Sequence, residues 1–324
     1  MIIGQDRAVD QFARAWARRT MHHAWLLAGP RGVGKASFAR DAATRILADA
    51  AGPPVDENGL HTPPDHRIAK LVDAGSHPDL RLLERLTKDK GEGLARNITV
   101  DQVRSLSELF DLTPALSPWR AVVMDSADDL EKSAANALLK MLEEPPPNSV
   151  FFLVSHAPGR LLPTIRSRCR RVDFHSLSAD AMTSVLEMKL PRLDAEQRHR
   201  IVGLAAGSVG RALSLAEQDL VALEETALRI LREGDPTNKH RSGLALELGR
   251  KGVSERYSAF LDVLPSLVAR EARKLSGAPR ERALNAYERT RELTSIAPRL
   301  SLDPASTVFQ LGGILASAAE PTVP

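Results

Sequence analysis

Uninterrupted apolar runs alternate through the first half of the chain with stretches in which apolar positions recur every three to four residues. That rhythm predicts strands covered on both faces, interleaved with helices, and therefore a parallel sheet. His23-Ala24-Trp25-Leu26-Leu27-Ala28, Val122-Val123-Met124 and Val150-Phe151-Phe152-Leu153-Val154 are the clearest strands. Ser37 to Leu47 reads as a helix, and so does Ser133 to Glu144, where Ala135, Leu138, Leu139 and Leu142 share one face and Pro145 ends the run. Between Ala50 and Asp79 the pattern dissolves into Pro and Gly, including Gly52-Pro53-Pro54 and Thr62-Pro63-Pro64-Asp65, which predicts an irregular insertion.

After Phe174 the strand pattern fades and helices take over. A first helical segment runs over about Ala179 to Glu217, broken at Pro191 and at Gly207-Ser208-Val209-Gly210. Farther on, Tyr257, Phe260, Leu261, Leu264, Leu267 and Val268 form one apolar stripe, with Glu255, Arg270 and Arg273 off it. Asp303-Pro304 predicts an N-cap and first helical proline for a last helix through Val308, Leu311, Ile314 and Leu315. The chain thus divides into an α/β domain over 1–175, a small helical domain over 176–220 and an all-α domain over 221–324.

The junction between the first strand and its helix carries the first candidate chemistry, Gly29-Pro30-Arg31-Gly32-Val33-Gly34-Lys35-Ala36. In a G-x-x-x-x-G-K-[S/T] loop the glycines let backbone N–H groups converge on phosphate oxygens, the lysine neutralises the outer phosphates, and the final hydroxyl ligates Mg²⁺. Gly29, Gly32, Gly34 and Lys35 satisfy that pattern, at a helix N-terminus whose dipole favours anions. Ala36 replaces the hydroxyl. A glycine-rich βα turn without a ligand remains open on this loop alone.

A working nucleotide site also needs an aspartate at the end of a second strand and a carboxylate beside it to activate water. Val122-Val123-Met124-Asp125-Ser126 supplies Asp125, but Ser126 stands where the carboxylate belongs, and serine is no base at neutral pH. The magnesium hydroxyl and the water-activating carboxylate are therefore both missing.

Composition narrows the class. The 324 residues are 43% hydrophobic and 26% charged, which are globular values. A net charge of +3 permits an acidic partner such as nucleic acid without requiring one. A single cysteine, Cys169, excludes an intrachain disulfide and fits a reducing cytoplasm. His61, His66 and His77 fall in or beside the insertion, but without ligand spacing or cysteines they read as solvated loop histidines, and no metal is expected. No apolar run approaches 20 residues, and the charged start of the chain reads as folded sequence, so a soluble intracellular protein is expected.

Two longer runs carry a resemblance. Ala135-Asn136-Ala137-Leu138-Leu139-Lys140, followed by Leu142-Glu143-Glu144-Pro145-Pro146, and Leu161-Leu162-Pro163-Thr164-Ile165-Arg166-Ser167-Arg168-Cys169 resemble the AAA+ clamp-loader family. Ile3-Gly4-Gln5, His23-Ala24, Gly75-Ser76-His77-Pro78-Asp79-Leu80 and the helical C-terminus extend it over most of the chain. The resemblance implies a P-loop domain, a helical lid and a helical collar that oligomerises with other loader subunits, which together load a sliding clamp onto primed DNA. It implies that Arg168 acts in trans on ATP held by a neighbouring subunit, a role suited to an always-charged planar guanidinium. The alternative for Arg166, Arg168, Arg170 and Arg171 is a basic segment that touches DNA phosphate or is simply solvated.

Ser155-His156 stands near the family's polar sensor, and Gly207-Ser208-Val209-Gly210-Arg211 resembles its second sensor segment. Members often carry a four-cysteine zinc module after the P-loop helix; here the Ala50–Asp79 insertion occupies that place, and it is expected to be metal-free. With Ala36 and Ser126, the resemblance implies a degenerate subunit that needs no cofactor, keeps at most residual ATP or ADP binding, and does not hydrolyse. The rival expectation is a competent AAA+ ATPase, a motor subunit or helicase-type remodeller, with Ser37 and Asp128 replacing the missing groups. A DNA-binding module built on the basic segment is the third.

Overall fold

The computed structural model describes residues 2–53, 55, 59–87, 95, 97–218, 220–250 and 252–319. They form two compact units, one of Met1–Val185 with Gly207–Val209 and one of Leu186–Ala206 with Gly210–Pro324.

The first unit opens with α1 (Asp6–Ala17), β1 (Ala24–Ala28), α2 (Lys35–Ala51) and α3 (Arg67–Asp73). It continues through β2 (Leu80–Glu84), α4 (Val100–Arg104), α5 (Leu106–Asp111), β3 (Arg120–Asp125), α6 (Lys132–Glu143) and β4 (Ser149–Ser155). Then come α7 (Pro163–Arg166), β5 (Arg170–Asp173) and α8 (Ala179–Lys189), of which the residues up to Val185 belong to this unit. The five strands are all parallel, in the order β2-β3-β4-β1-β5.

Alternation along the strands splits the core in two. Ala24 and Leu26 of β1, Val122 and Met124 of β3, and Phe151 and Leu153 of β4 pack with Val103, Leu106, Leu138 and Leu142 on one face. The opposite face is aromatic: Phe12 meets Trp25 and Phe38 edge-on, with ring centroids 6.1 Å apart in both pairs, and Phe38 meets Phe174 at 5.2 Å. Such edge-to-face pairs suit the ring quadrupoles and fix how α1 and α2 lie on the sheet.

The insertion after α2 is less irregular than its composition suggests. Arg67–Asp73 forms α3, whose start is capped by the His66 ring accepting from the Ile68 N–H at 3.2 Å. A buried clasp ties the preceding loop down: the Arg45 guanidinium donates to Asp49 and to the Val55 and His61 carbonyls, each at 2.8 Å. Pro54 and residues 56–58 of the insertion lie outside the described residues.

His77 departs from the expectation of a solvated loop histidine. It is buried, and its Nδ1 accepts from the Asp79 N–H at 3.1 Å. Asp79 in turn accepts from the N–H groups of Ala115, Leu116 and Ser117 at 2.8–3.0 Å, fastening the loop that leads into β3. Among the described residues no group of three or more His, Cys, Asp or Glu side chains is placed to hold a metal ion.

The second unit is helical. It holds α9 (Ala195–Ala205), α10 (Val209–Glu217), α11 (Val221–Glu233), α12 (Lys239–Leu248), α13 (Ser254–Lys274), α14 (Gly277–Leu300) and α15 (Pro304–Ala316). All six apolar stripe residues of α13 are buried, and Asp303 caps α15 by accepting from the Ser306 N–H at 2.8 Å. No described helix is long and apolar enough to cross a membrane.

Candidate functional site

The loop Gly29–Gly34 joins the C-terminal end of β1 to α2, the position where parallel α/β sheets bind ligands. Each glycine has a separate reason to be there. A Cβ on Gly29 would stand 2.3 Å from the Phe174 carbonyl oxygen at the end of β5, so only glycine lets the strands close. Gly32 and Gly34 hold φ of 71° and 96°, values that an L side chain rarely adopts, and a Cβ on Gly34 would point into open space. The loop is braced from both sides. Gln5 donates to the His175 carbonyl at 2.7 Å and to the Val33 carbonyl at 3.3 Å, and the Ser208 hydroxyl donates to the Arg31 carbonyl at 3.0 Å.

Lys35 begins α2 and is almost wholly buried. Its ammonium donates to the carbonyls of Gly29, at 2.7 Å, and of Pro30. Burial pushes its pKa down to about 8, against the attraction of Asp125 and Asp128. Asp125 lies at the end of β3, where burial first and the neighbouring Glu84 second raise its carboxyl above the usual range. Glu84 is its register partner on β2.

Phosphate and metal chemistry separate at this site. The glycines, the α2 N-terminus and Lys35 fit a phosphate group. Ala36 in the first turn of α2 presents a methyl group where the hydroxyl of such a loop would ligate a magnesium ion, which leaves Asp125 as the carboxylate beside the loop that could face one.

Asp128, the carboxylate nearest to Ser126 along the chain after Asp125, is already committed. A short 3-10 turn, Ala127–Asp129, swings it across to β4, where it accepts from the Ser155 hydroxyl at 2.8 Å and from the N–H groups of His156 and Ala157. Ser155 and Asp128 are thus one hydrogen-bonded unit. The sequence offers Asp128 as a displaced base and carries one sign of this bridge, the turn after β3, which releases the side chain from strand alternation. The His156 ring is held neutral, with its pKa lowered to about 4 by burial and by the charges of Lys35 and Arg31.

Arg168 lies between α7 and β5, away from this loop. Its guanidinium pairs with Glu143 at the end of α6 at 2.8 Å and donates to the Thr164 carbonyl at 3.0 Å, and about a third of the side chain is exposed. The neighbouring arginines have different fates. Arg170 lies over the Trp25 ring at 5.0 Å, and Arg171 holds Asp173 through two nitrogens at 2.8 and 2.7 Å. Cys169 packs against the core, and burial raises its thiol pKa to about 12, so it is no nucleophile.

Arg211 belongs to the helical unit. It sits 3.5 Å from Glu224 of α11 and donates to the Val263 carbonyl of α13 at 3.2 Å.

Comparison with known proteins places these features in a family. A family profile described as DNA polymerase III, delta subunit, matches residues 4–178. A DNA polymerase III subunit delta' from Pseudomonas aeruginosa is 37% identical over 197 residues, covering 59% of this chain and 55% of that one. A subunit delta' from Bacillus subtilis is 29% identical over 216 residues, 66% of this chain and 60% of the relative. The subunit tau of the same organism is 28% identical over 275 residues, 81% and 45% respectively. In these matches the chain spans about half the length of its relatives.

Proposed function

Since the chain belongs to the family described as DNA polymerase III, delta subunit, we propose that it works as a clamp-loader subunit of the delta-prime type. In this reading it stacks beside an ATP-bound gamma or tau motor subunit in the DNA polymerase III complex. There it supplies Arg168 to the motor's nucleotide and helps load the sliding clamp onto primed DNA. The delta subunit, the clamp and primed DNA are its further partners, in the cytoplasm.

The observation that carries the degenerate half of the reading is Ala36 in the first turn of α2. Gly29, Gly32, Gly34 and Lys35 keep the shape of a phosphate cradle, so residual ATP or ADP binding through phosphate contacts remains part of the proposal. Asp125 flanks that cradle. Hydrolysis needs the loop's metal-ligating hydroxyl and a base, and the expected positions offer neither: position 36 is a methyl group, position 126 a buried serine, and Asp128 is engaged with β4. No zinc is required, since Arg45 and Asp49 hold the insertion without one.

Arg168 is suited to work outside its own chain. A guanidinium stays charged at every physiological pH, and across an interface it stabilises the charge that develops in phosphoryl transfer. Its partner Glu143 is itself partly exposed, so the pair can exchange for a phosphate at modest expense.

The test of the degenerate site is steady-state ATP hydrolysis by the purified chain. The proposal expects no turnover above background. Turnover that disappears in Lys35→Ala would instead establish a competent motor.

A further inference from the structure

At the opposite end of the sheet from the phosphate loop lies a second cleft. It is an open hollow of about 290 Å³, lined by Gln11, Arg14, Ala15, Arg18, Thr20 and Arg170. Thr20 precedes β1 and Arg170 opens β5, so the cleft sits at the N-terminal ends of the strands, whereas the phosphate loop follows their C-terminal ends. A strand of five residues separates the two by roughly 16 Å.

The lining holds three guanidinium groups and no carboxylate. Among the described residues none of Arg14, Arg18 or Arg170 forms an ion pair. Two of the three are oriented in advance. Arg170 is held over the Trp25 ring at 5.0 Å, and Arg14 donates through Nε to the Asp10 carbonyl at 3.2 Å, which leaves its terminal nitrogens for another acceptor. Arg14, in the last turn of α1, and Arg18, the residue that caps its C-terminal end, lie four positions apart and both line the cleft. Gln11 adds a neutral donor.

Unpaired like charges held together repel one another, and an anion between them relieves that repulsion. Guanidinium forks match the tetrahedral oxygens of phosphate, and successive arginines along a helix face can follow successive phosphates of a strand.

We propose that this cleft binds the phosphodiester backbone of a DNA strand, as a contact distinct from the nucleotide loop and from Arg168. The choice of DNA over a carboxylate-rich peptide rests on the clamp-loader reading; the phosphate chemistry of the cleft does not.

The test uses the full chain and a short fluorescein-labelled single-stranded oligonucleotide, followed by fluorescence anisotropy over a salt series. Three phosphate contacts predict weak binding with a slope of log affinity against log salt of about −2, at about −0.7 per neutralised phosphate. Arg14→Gln with Arg18→Gln removes two contacts at exposed positions. It is expected to lower the slope to about −0.7 and to weaken binding at low salt by tenfold or more, with an unchanged circular dichroism spectrum. Arg170→Lys, which keeps the charge and loses the fork, should fall between wild type and the double variant.

Equal affinity and slope in the double variant would overturn the proposal. So would displacement of the oligonucleotide by inorganic phosphate at matched ionic strength, which would mark a free-anion site. Competition by oligoglutamate as effective as that by unlabelled oligonucleotide would point to an acidic peptide and reject DNA. Failure of the clamp-loader reading is read separately, in reconstituted loader with Arg168 altered, so the two failures cannot be confused.

Discussion

The Arg168 guanidinium lies 2.8 Å from the Glu143 carboxylate, and this contact joins the two sequence runs that carry the family resemblance. Glu143 closes α6 and Arg168 follows α7, so the ion pair sets the direction in which the arginine leaves the domain. Both side chains are partly exposed, and water screens the pair. Glu143→Gln is therefore expected to change stability by less than about 1 kcal/mol, with a melting temperature close to that of the wild type by calorimetry. A reconstituted loader carrying it should hydrolyse ATP at least as fast as one with the wild-type chain. A loss resembling that of an Arg168 variant would mean that Glu143 positions the arginine for use and does not merely hold it in reserve.

Asp79 is a stability residue. Its buried carboxylate takes three backbone N–H groups, those of Ala115, Leu116 and Ser117. Asp79→Ala leaves all three without an acceptor inside the protein, and each buried unpaired group costs about 1–3 kcal/mol before water or relaxation relieves it. A net loss of about 3 kcal/mol is expected in urea unfolding. Asp79→Asn keeps one acceptor oxygen and should lose less. Equal stability of Asp79→Ala and wild type would remove Asp79 from the account of how β3 is placed.

The helical unit contains a pH-sensitive pair. Glu224 is fully buried on α11, and burial pushes its pKa up from 4.5 to about 7, opposed by the charges of Arg211 and Arg270. Because the folded-state value is raised, the folded protein holds the proton more tightly than the unfolded chain. Its contribution to stability is therefore fully present below pH 4.5 and is lost as pH rises through about 7. The stability of wild type relative to Glu224→Gln should fall by up to about 3 kcal/mol over that window. Thermal melts of both proteins across the range measure it, and parallel curves would contradict the assignment.

What the sequence made legible follows burial. β1, β3 and β4 are covered on both faces and appear as unbroken apolar runs. β2 (Leu80–Glu84) and β5 (Arg170–Asp173) stand at the sheet's edges, where exposed positions take charged residues, and their patterns hide them. The helix α3 was masked by the prolines and glycines around it, and His77 by the loop composition of its neighbours.

The candidate site divides in the same way. The glycines and Lys35 are legible because local backbone geometry dictates them. The Asp128–Ser155 bridge and the Arg168–Glu143 pair join residues 27 and 25 positions apart, respectively, and only the fold brings them together. The charge of Arg45 reads in the sequence as a solvated helix position, and only the loop that closes over it makes it buried.

In the proposed reading this chain completes another subunit's active site while lacking one of its own. The most direct measurement is DNA-stimulated ATP hydrolysis by the reconstituted clamp loader, with wild type compared against Arg168→Ala. Removing an arginine that stabilises phosphoryl transfer across an interface predicts a fall of about 10³-fold or more at the adjacent site, seen as loss of that site's share of the total, with assembly unchanged by size-exclusion chromatography. Hydrolysis equal to wild type in a fully assembled loader would contradict the claim.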